Sequence, residues 1–216
     1  YGVPLALSII ASFELDNDLA SPAVLHEEKG WALLFKPPGM GVQPDARGDQ
    51  DLMTWYRPGA VPVGRLDRPV SGLVLVAVTG AAKSSLQSAQ QAGSLRKVYR
   101  AKTSRKPPVL PALIEHGWRF ERGLAQAVKV GAKRSKIMRT ETLSQEGDFV
   151  ELRLITGRRH QLRVQLAACG APILGDRRYG GERASHLHLA CTELGMPDQR
   201  LFRLANPVVK KLNLAY

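Results

Sequence analysis

Three short segments of this chain place charged and aromatic side chains where they could do chemistry. The first is Gly64-Arg65-Leu66-Asp67-Arg68-Pro69-Val70-Ser71-Gly72, which sets one carboxylate between two guanidinium groups just ahead of an apolar run. Cations beside a carboxylate favour its charged form. A loop at the mouth of a buried strand also presents its side chains from a rigid base. Asp67 is therefore a catalytic candidate, although a salt-bridged loop aspartate has the same spacing and does no chemistry. The second segment is Thr156-Gly157-Arg158-Arg159-His160-Gln161-Leu162-Arg163. Here Arg158 and Arg159 fall in the first turn of a predicted helix, where cations oppose the helix dipole and an external phosphate would repair the mismatch. His160, Arg163 and Ala167 share one face of that helix, and Leu162, Leu166 and Cys169 share another. The plain alternative is a solvated basic face. The third segment is Arg96-Lys97-Val98-Tyr99-Arg100-Ala101-Lys102, whose alternation puts Lys97, Tyr99 and Ala101 on one side of a strand. An aromatic ring among cations suits stacking on a nucleobase, although a single strand tyrosine more often belongs to a core.

Other chemistries lack their residues. The histidines at 26, 116, 160, 186 and 188 do not reach metal-ligand spacing with Cys169 and Cys191, and His186-x-His188 alone is a weak signal. There is no phosphate-loop or dinucleotide glycine pattern and no nucleophile elbow. Two cysteines are too few for a disulfide scaffold, so reduced thiols in a cytoplasmic protein are expected.

The charge distribution names a partner class. Lys and Arg number 31 against 19 Asp and Glu in 216 residues, a formal net charge of +12. Residues 1–63 hold eight acids and four bases, whereas residues 64–216 hold eleven acids and 27 bases. Arg68–Ile114 contains eight bases and no acid, and Arg122–Thr140 contains six bases and no acid. Clustered uncompensated charge of this size points to a polyanion, nucleic acid above all. No basic stretch has a long amphipathic apolar face, and no apolar run reaches membrane-span length, so a membrane partner is not expected.

The elements that must carry these segments follow from local pattern. Ala23–His26 and Trp31–Lys36 flank a hairpin turn, and Arg47–Gly59 reads as loop. Gly72–Val78 reads as a strand buried on both faces. Thr79 is positioned to cap a helix over Ala81–Ala92 that Gly93 stops. Strands are expected at Arg96–Thr103, Gln126–Val130, Lys136–Leu143, Phe149–Ile155 and Ala184–Ala190, with Lys106–Pro111 a loop. Thr156 is expected to cap a helix over Arg158–Cys169, stopped by Gly170. Hairpin-connected strands outnumber helices, which predicts an α+β fold with a mixed, mainly antiparallel sheet and flanking helices and loops. Residues 23–216 read as one catalytic domain behind an N-terminal extension, 1–22. The chain opens on Tyr1, so its native start is expected to lie upstream.

Taken in order, these segments resemble the RluA-type family of RNA pseudouridine synthases. Arg65-Leu66-Asp67-Arg68 with Ser71-Gly72 matches the family's catalytic motif, and Lys97-x-Tyr99 matches its tyrosine motif. Thr156-Gly157-Arg158-x-His160-Gln161-Leu162-Arg163, followed by Pro172-Ile173-Leu174-Gly175-Asp176 and Tyr179-Gly180, matches a third. Lys36-Pro37-x-Gly39 and Leu187-x-Leu189 match its early and late signatures, so the likeness runs from Ala23 to Leu194. Gly64 stands where a histidine is usual in that family.

The resemblance implies the pseudouridine synthase fold and isomerisation of uridine in structured ribosomal or transfer RNA, with no metal and no cofactor. Asp67 would attack the ribose or assist proton removal there. Arg163 would pair with Asp67 and aim it. Tyr99 would pack on the base, Arg65 would enter the RNA stack, and Leu187 or Leu189 would wall the base pocket. Arg68, Lys97, Arg158, Arg159 and His160 would bind RNA. The reaction breaks an N-glycosidic bond, turns the uracil and forms a carbon–carbon bond at C5, so the base must be flipped out and then retained. RNA is the expected partner, and a cytoplasmic monomer without an obligate protein partner is the expected state. The competing expectations are a non-catalytic RNA-binding or ribosome-assembly protein and a base-releasing glycosidase.

Overall fold

A computed structural model describes residues 8–13, 20–212 and 214. In chain order the strands are β1 (Ser8–Phe13), β2 (Ala23–Glu28), β3 (Trp31–Lys36), β4 (Val61–Pro62), β5 (Ser71–Ala77), β6 (Arg96–Lys102), β7 (Leu113–Glu121), β8 (Leu124–Val128), β9 (Lys136–Glu146), β10 (Phe149–Leu154), β11 (Leu189–Gly195) and β12 (Arg200–Leu204). The helices are α1 (Leu52–Tyr56), α2 (Gly80–Gln91), α3 (Gln161–Ala168) and α4 (Asn206–Lys211), with a 3-10 turn at Arg177–Tyr179. This is the α+β class with a mixed, mainly antiparallel sheet that the pattern predicts. Among the described residues no helix is long and apolar enough to cross a membrane.

The chain forms two compact units. One draws on the chain up to Lys97 and on Cys191–Leu212; the other holds Val98–Ala190 and Leu214. In the first, β2 and β3 form a hairpin, and β3 pairs antiparallel with β5 from Trp31↔Ala77 to Lys36↔Gly72. Every residue of β3 and β5 is buried, as expected of Leu- and Val-rich strands covered on both faces. Thr79 caps α2 by accepting the Ala82 N–H, and Gly93 follows its end at φ 72°. β12 pairs antiparallel with β11 and parallel with β1. Of the expected N-terminal extension, residues 1–7 and 14–19 lie outside the described residues; the described part holds β1.

Gly72, which closes the catalytic-type motif, is demanded by geometry. Its φ is +111°, and a Cβ there would lie 2.2 Å from the Cys191 carbonyl oxygen of β11. Gly72→Ala is therefore expected to cost about 3 kcal/mol or more through strain and overpacking. That corresponds to a Tm fall of roughly 6–12 °C by calorimetry.

In the second unit the strand order is β6-β10-β9-β7-β8. α3 packs against it through Val164, which meets Ala125 and Met138, with Trp118, Phe120, Ala127 and Tyr179 around them.

Several elements differ from expectation. α1 lies inside the segment read as loop, capped by Asp51, whose carboxylate accepts the Met53 and Thr54 N–H groups. β7, β12 and α4 were not expected. β11 spans Leu189–Gly195 rather than Ala184–Ala190. α3 begins at Gln161, not Arg158, because His160 before it is left-handed (φ 58°) and Thr156 does not cap it. Arg158 and Arg159 thus precede the helix, and the clash of cations with its dipole does not arise.

Candidate active site

In the first unit the candidate carboxylate sits on the loop between β4 and β5. Val63 N–H bonds the Leu75 carbonyl at 2.8 Å, and Val70 N–H bonds the Asp67 carbonyl at 2.9 Å, so a tight turn carries Asp67 into β5. Asp67 is half-buried and Arg65 is exposed. Beneath the turn lies Lys36, fully buried at the end of β3. Its ammonium donates to the carbonyls of Pro37 (2.8 Å), Met40 (2.9 Å) and Arg68 (3.0 Å). The Arg68 carbonyl also accepts the Gly39 N–H at 3.0 Å. Burial pushes Lys36 down to about 7, while the Asp67 carboxylate pulls it back up and Arg68 adds to the fall.

That depressed value has a measurable consequence. Between about 7 and the ordinary lysine value the unfolded chain holds a proton at residue 36 that the folded chain has released, so this group makes stability rise with pH across that window. Lys36→Met is expected to remove one proton's worth of slope, about 1.4 kcal/mol per pH unit, from the unfolding free energy between about pH 7 and 10. Urea titrations at a series of pH values read it directly.

Arg68 reaches the segment that follows β3. Its guanidinium donates to the Gly39 carbonyl (3.0 Å), to Asp49 (3.0 Å) and to Asp45 (2.9 Å), and this pairing holds the Asp45 carboxyl below its usual range. The acidic N-terminal part of the sequence thus meets the motif at Arg68 and ties its loop to the Gly39–Asp49 segment. Lys97 supports the same loop from α2's side. Its ammonium lies 3.3 Å from the Val63 carbonyl, and burial lowers its pKa. A Cβ at Gly64 would lie 2.6 Å from that ammonium and 2.8 Å from Gln90 Oε1, so a histidine there would displace Lys97.

In the second unit the Thr156–Arg163 motif explains itself residue by residue. Gln161, buried, ties the segment together: its Nε2 donates to the Arg139 carbonyl and Thr140 Oγ1, both at 3.0 Å, and its Oε1 accepts from Arg158 N–H (3.0 Å) and Thr156 Oγ1 (2.9 Å). His160 turns the chain into α3 and shares a 2.7 Å hydrogen bond with the Tyr179 hydroxyl, which also accepts the Ala125 N–H at 3.2 Å. Burial raises the Tyr179 pKa. Arg163 donates from Nε and a terminal nitrogen to the two oxygens of Asp176, at 2.7 and 2.8 Å. The side chains of Arg163 and Asp176 are only 7% and 1% exposed. The Arg163 guanidinium lies 5.1 Å from the centre of the Tyr179 ring. Arg159 is exposed and rests on Phe120, its guanidinium carbon 4.7 Å from the ring centre. Arg158 is half-buried, with Nε 3.4 Å from the Ile137 carbonyl.

Tyr99 is buried in the middle of β6, and Leu187 and Leu189 are buried on either side of His188. The His188 N–H bonds the Leu174 carbonyl (2.9 Å), and its own carbonyl accepts the Lys102 N–H (3.0 Å), which fixes both leucines. Among the described residues no group of three or more His, Cys, Asp or Glu is placed to hold a metal ion.

Sequence reasoning assigned no role to Lys36, Gln161, Asp176 or Tyr179, although each lies in a motif it quoted. A lysine ending an all-apolar run, as in Trp31–Lys36, was the available signal for the first.

A family model described as RNA pseudouridylate synthase matches residues 31–168. An uncharacterized RNA pseudouridine synthase of Chloroflexus aurantiacus is 40% identical over 136 residues, covering 62% of this chain and 42% of that protein. The dual-specificity RNA pseudouridine synthase RluA of Escherichia coli is 35% identical over 171 residues, 74% of this chain and 78% of that protein. Among solved structures, human RNA Pseudouridylate Synthase Domain Containing 1 matches with a TM-score of 0.72 and 21% identity, over 92% of this chain and 89% of that one. That last likeness is one of fold.

Proposed function

The chain belongs to the RNA pseudouridylate synthase family, in its RluA-type branch of uridine-isomerising enzymes, and on that premise we propose that Asp67 carries the chemistry on a uridine flipped out of structured ribosomal or transfer RNA. The observation that carries this reading is the anchorage of the Asp67 turn: the carbonyl next to it is gripped by the buried Lys36 side-chain nitrogen and by Gly39 N–H. A carboxylate on a pre-set backbone meets its substrate without reorganising, which is what an electrostatic or nucleophilic catalyst needs.

The remaining roles follow the chemistry. Tyr99 packs on the uracil, with Leu187 or Leu189 walling it, so that the detached base turns without escaping. Arg163 aims Asp67, and Asp176 and Tyr179 fix the guanidinium that does so. Arg65, exposed on the loop, fills the gap the flipped uridine leaves in the RNA stack. Arg158, Arg159 and His160 meet phosphates near the site, and Arg68 and Lys97 act on RNA chiefly by shaping the Asp67 loop. The protein works as a monomer in the cytoplasm, without an obligate protein partner. Incubating it with cellular RNA and mapping pseudouridine tests the reading. New pseudouridine at discrete positions supports it, and its absence from both ribosomal and transfer RNA refutes it.

A further inference from the structure

The acid-free stretch Arg122–Thr140 is a charged feature that the proposed chemistry leaves unused. β7 lies between β8 and β9 in the sheet, so the chain must cross β7 on its way from β8 to β9. It crosses over Gly117, where a Cβ would lie 2.7 Å from the Lys129 carbonyl oxygen and 3.0 Å from Ser135 Oγ. Trp118 and Phe120 pack toward α3, and alternation along β7 puts Gly117 and Arg119 on the opposite face. The crossing loop is therefore seated on the face of this sheet that α3 does not cover.

Its conformation is fixed. Ala132 N–H bonds the Lys129 carbonyl (3.1 Å), Ser135 N–H and Oγ bond the Ala132 carbonyl (3.1 and 2.6 Å), and Arg119 donates to the Lys133 carbonyl (2.8 Å). Arg134 adopts φ 59°, a left-handed conformation that glycine takes without strain. Lys129, Lys133, Arg134 and Lys136 are all exposed, and among the described residues none of their side chains has an ion pair or hydrogen bond. The acids nearest in sequence are engaged elsewhere, Glu121 with Arg119 (3.5 Å) and Glu141 with Arg153 (2.5 Å). Cations held in a fixed, strained and uncompensated array are arranged for an external polyanion.

We propose that the loop Lys129–Ser135, with Lys136, is a docking surface for the phosphate backbone of the RNA substrate. This rests on the synthase reading for the identity of the polyanion. The loop has no amphipathic apolar face, so a lipid surface fits it less well.

The test is the salt dependence of RNA binding. For Lys129→Ala/Lys133→Ala/Arg134→Ala, the slope of log K against log salt is expected to flatten by about two to three, one contact per removed cation. Arg134→Gly removes one charge and the left-handed strain together, so its slope should flatten by about one while Tm holds or rises. Arg134→Lys should keep the wild-type slope. A folded triple variant with the wild-type slope overturns the proposal. If the triple variant does not fold, an unchanged slope in Arg134→Gly overturns it equally. An unchanged slope with lost binding to phosphatidylserine vesicles also overturns it, in favour of a lipid surface. Failure of the synthase reading shows separately, as absence of pseudouridine from wild-type reactions.

Discussion

Asp67→Asn is expected to abolish pseudouridine formation while leaving RNA binding intact. The substitution changes charge and almost nothing of size. The turn it sits on is held through main-chain carbonyls: that of Asp67 accepts Val70 N–H, and that of Arg68 accepts Lys36 and Gly39. These bonds survive the change, so the loop keeps its place. Whether the carboxylate attacks the ribose or helps remove a proton from it, an amide does neither, and loss of a group of this kind lowers kcat on the order of 10⁴-fold or more. Release of tritium from RNA labelled at uridine C5 measures the loss, and filter binding measures what remains. A non-catalytic RNA-binding protein would show full binding and no tritium release from the wild type as well. A base-releasing glycosidase would show free uracil from the wild type, lost in the variant.

How much of this was legible in the sequence depends on how local each signal is. α2 was readable because its cap, Thr79, and its stop, Gly93, lie within the helix's own neighbourhood. β3 and β5 were readable because strands buried on both faces are apolar throughout. β7 was missed because one face carries Gly117 and Arg119 under a crossing loop, and its neighbours β8 and β9 come later in the chain; neither fact is visible in nine consecutive residues. α3 was placed three residues early because nothing about His160 announces a left-handed backbone, and the bonds that impose it reach Tyr179, nineteen residues away. Ala184–Ala190 alternates like a strand, yet pairing begins only at Leu189, since Gly175 packs so closely on the His186 carbonyl that a Cβ would lie 2.0 Å from it. The candidate site divides in the same way. Asp67 stood out by its motif and flanking charge, and Arg163 by the family resemblance. The bonds from Lys36 to the Arg68 carbonyl and from Arg163 to Asp176 did not stand out, because their partners lie 32 and 13 residues apart.

Asp176→Ala is the second change with a large expected effect, and it separates scaffold from chemistry. It leaves the buried Arg163 guanidinium without its bidentate carboxylate, a loss of about 3–5 kcal/mol when one partner of a buried pair is removed. For a chain of this length that is a Tm fall of roughly 6–20 °C. Activity should fall with it, but an unstable protein loses activity for any reason, so this variant alone does not assign a role to Arg163. The double variant Arg163→Met/Asp176→Leu does. Replacing both members of a buried ion pair with apolar side chains of similar volume is often neutral for stability, and the Tyr179 ring beside Arg163 offers such side chains an apolar surface. The double variant should therefore recover most of the lost Tm while forming no pseudouridine, because a thioether cannot aim a carboxylate. Recovery of both Tm and activity would mean that Arg163 and Asp176 only hold α3 in place, and that Asp67 works without a guanidinium partner.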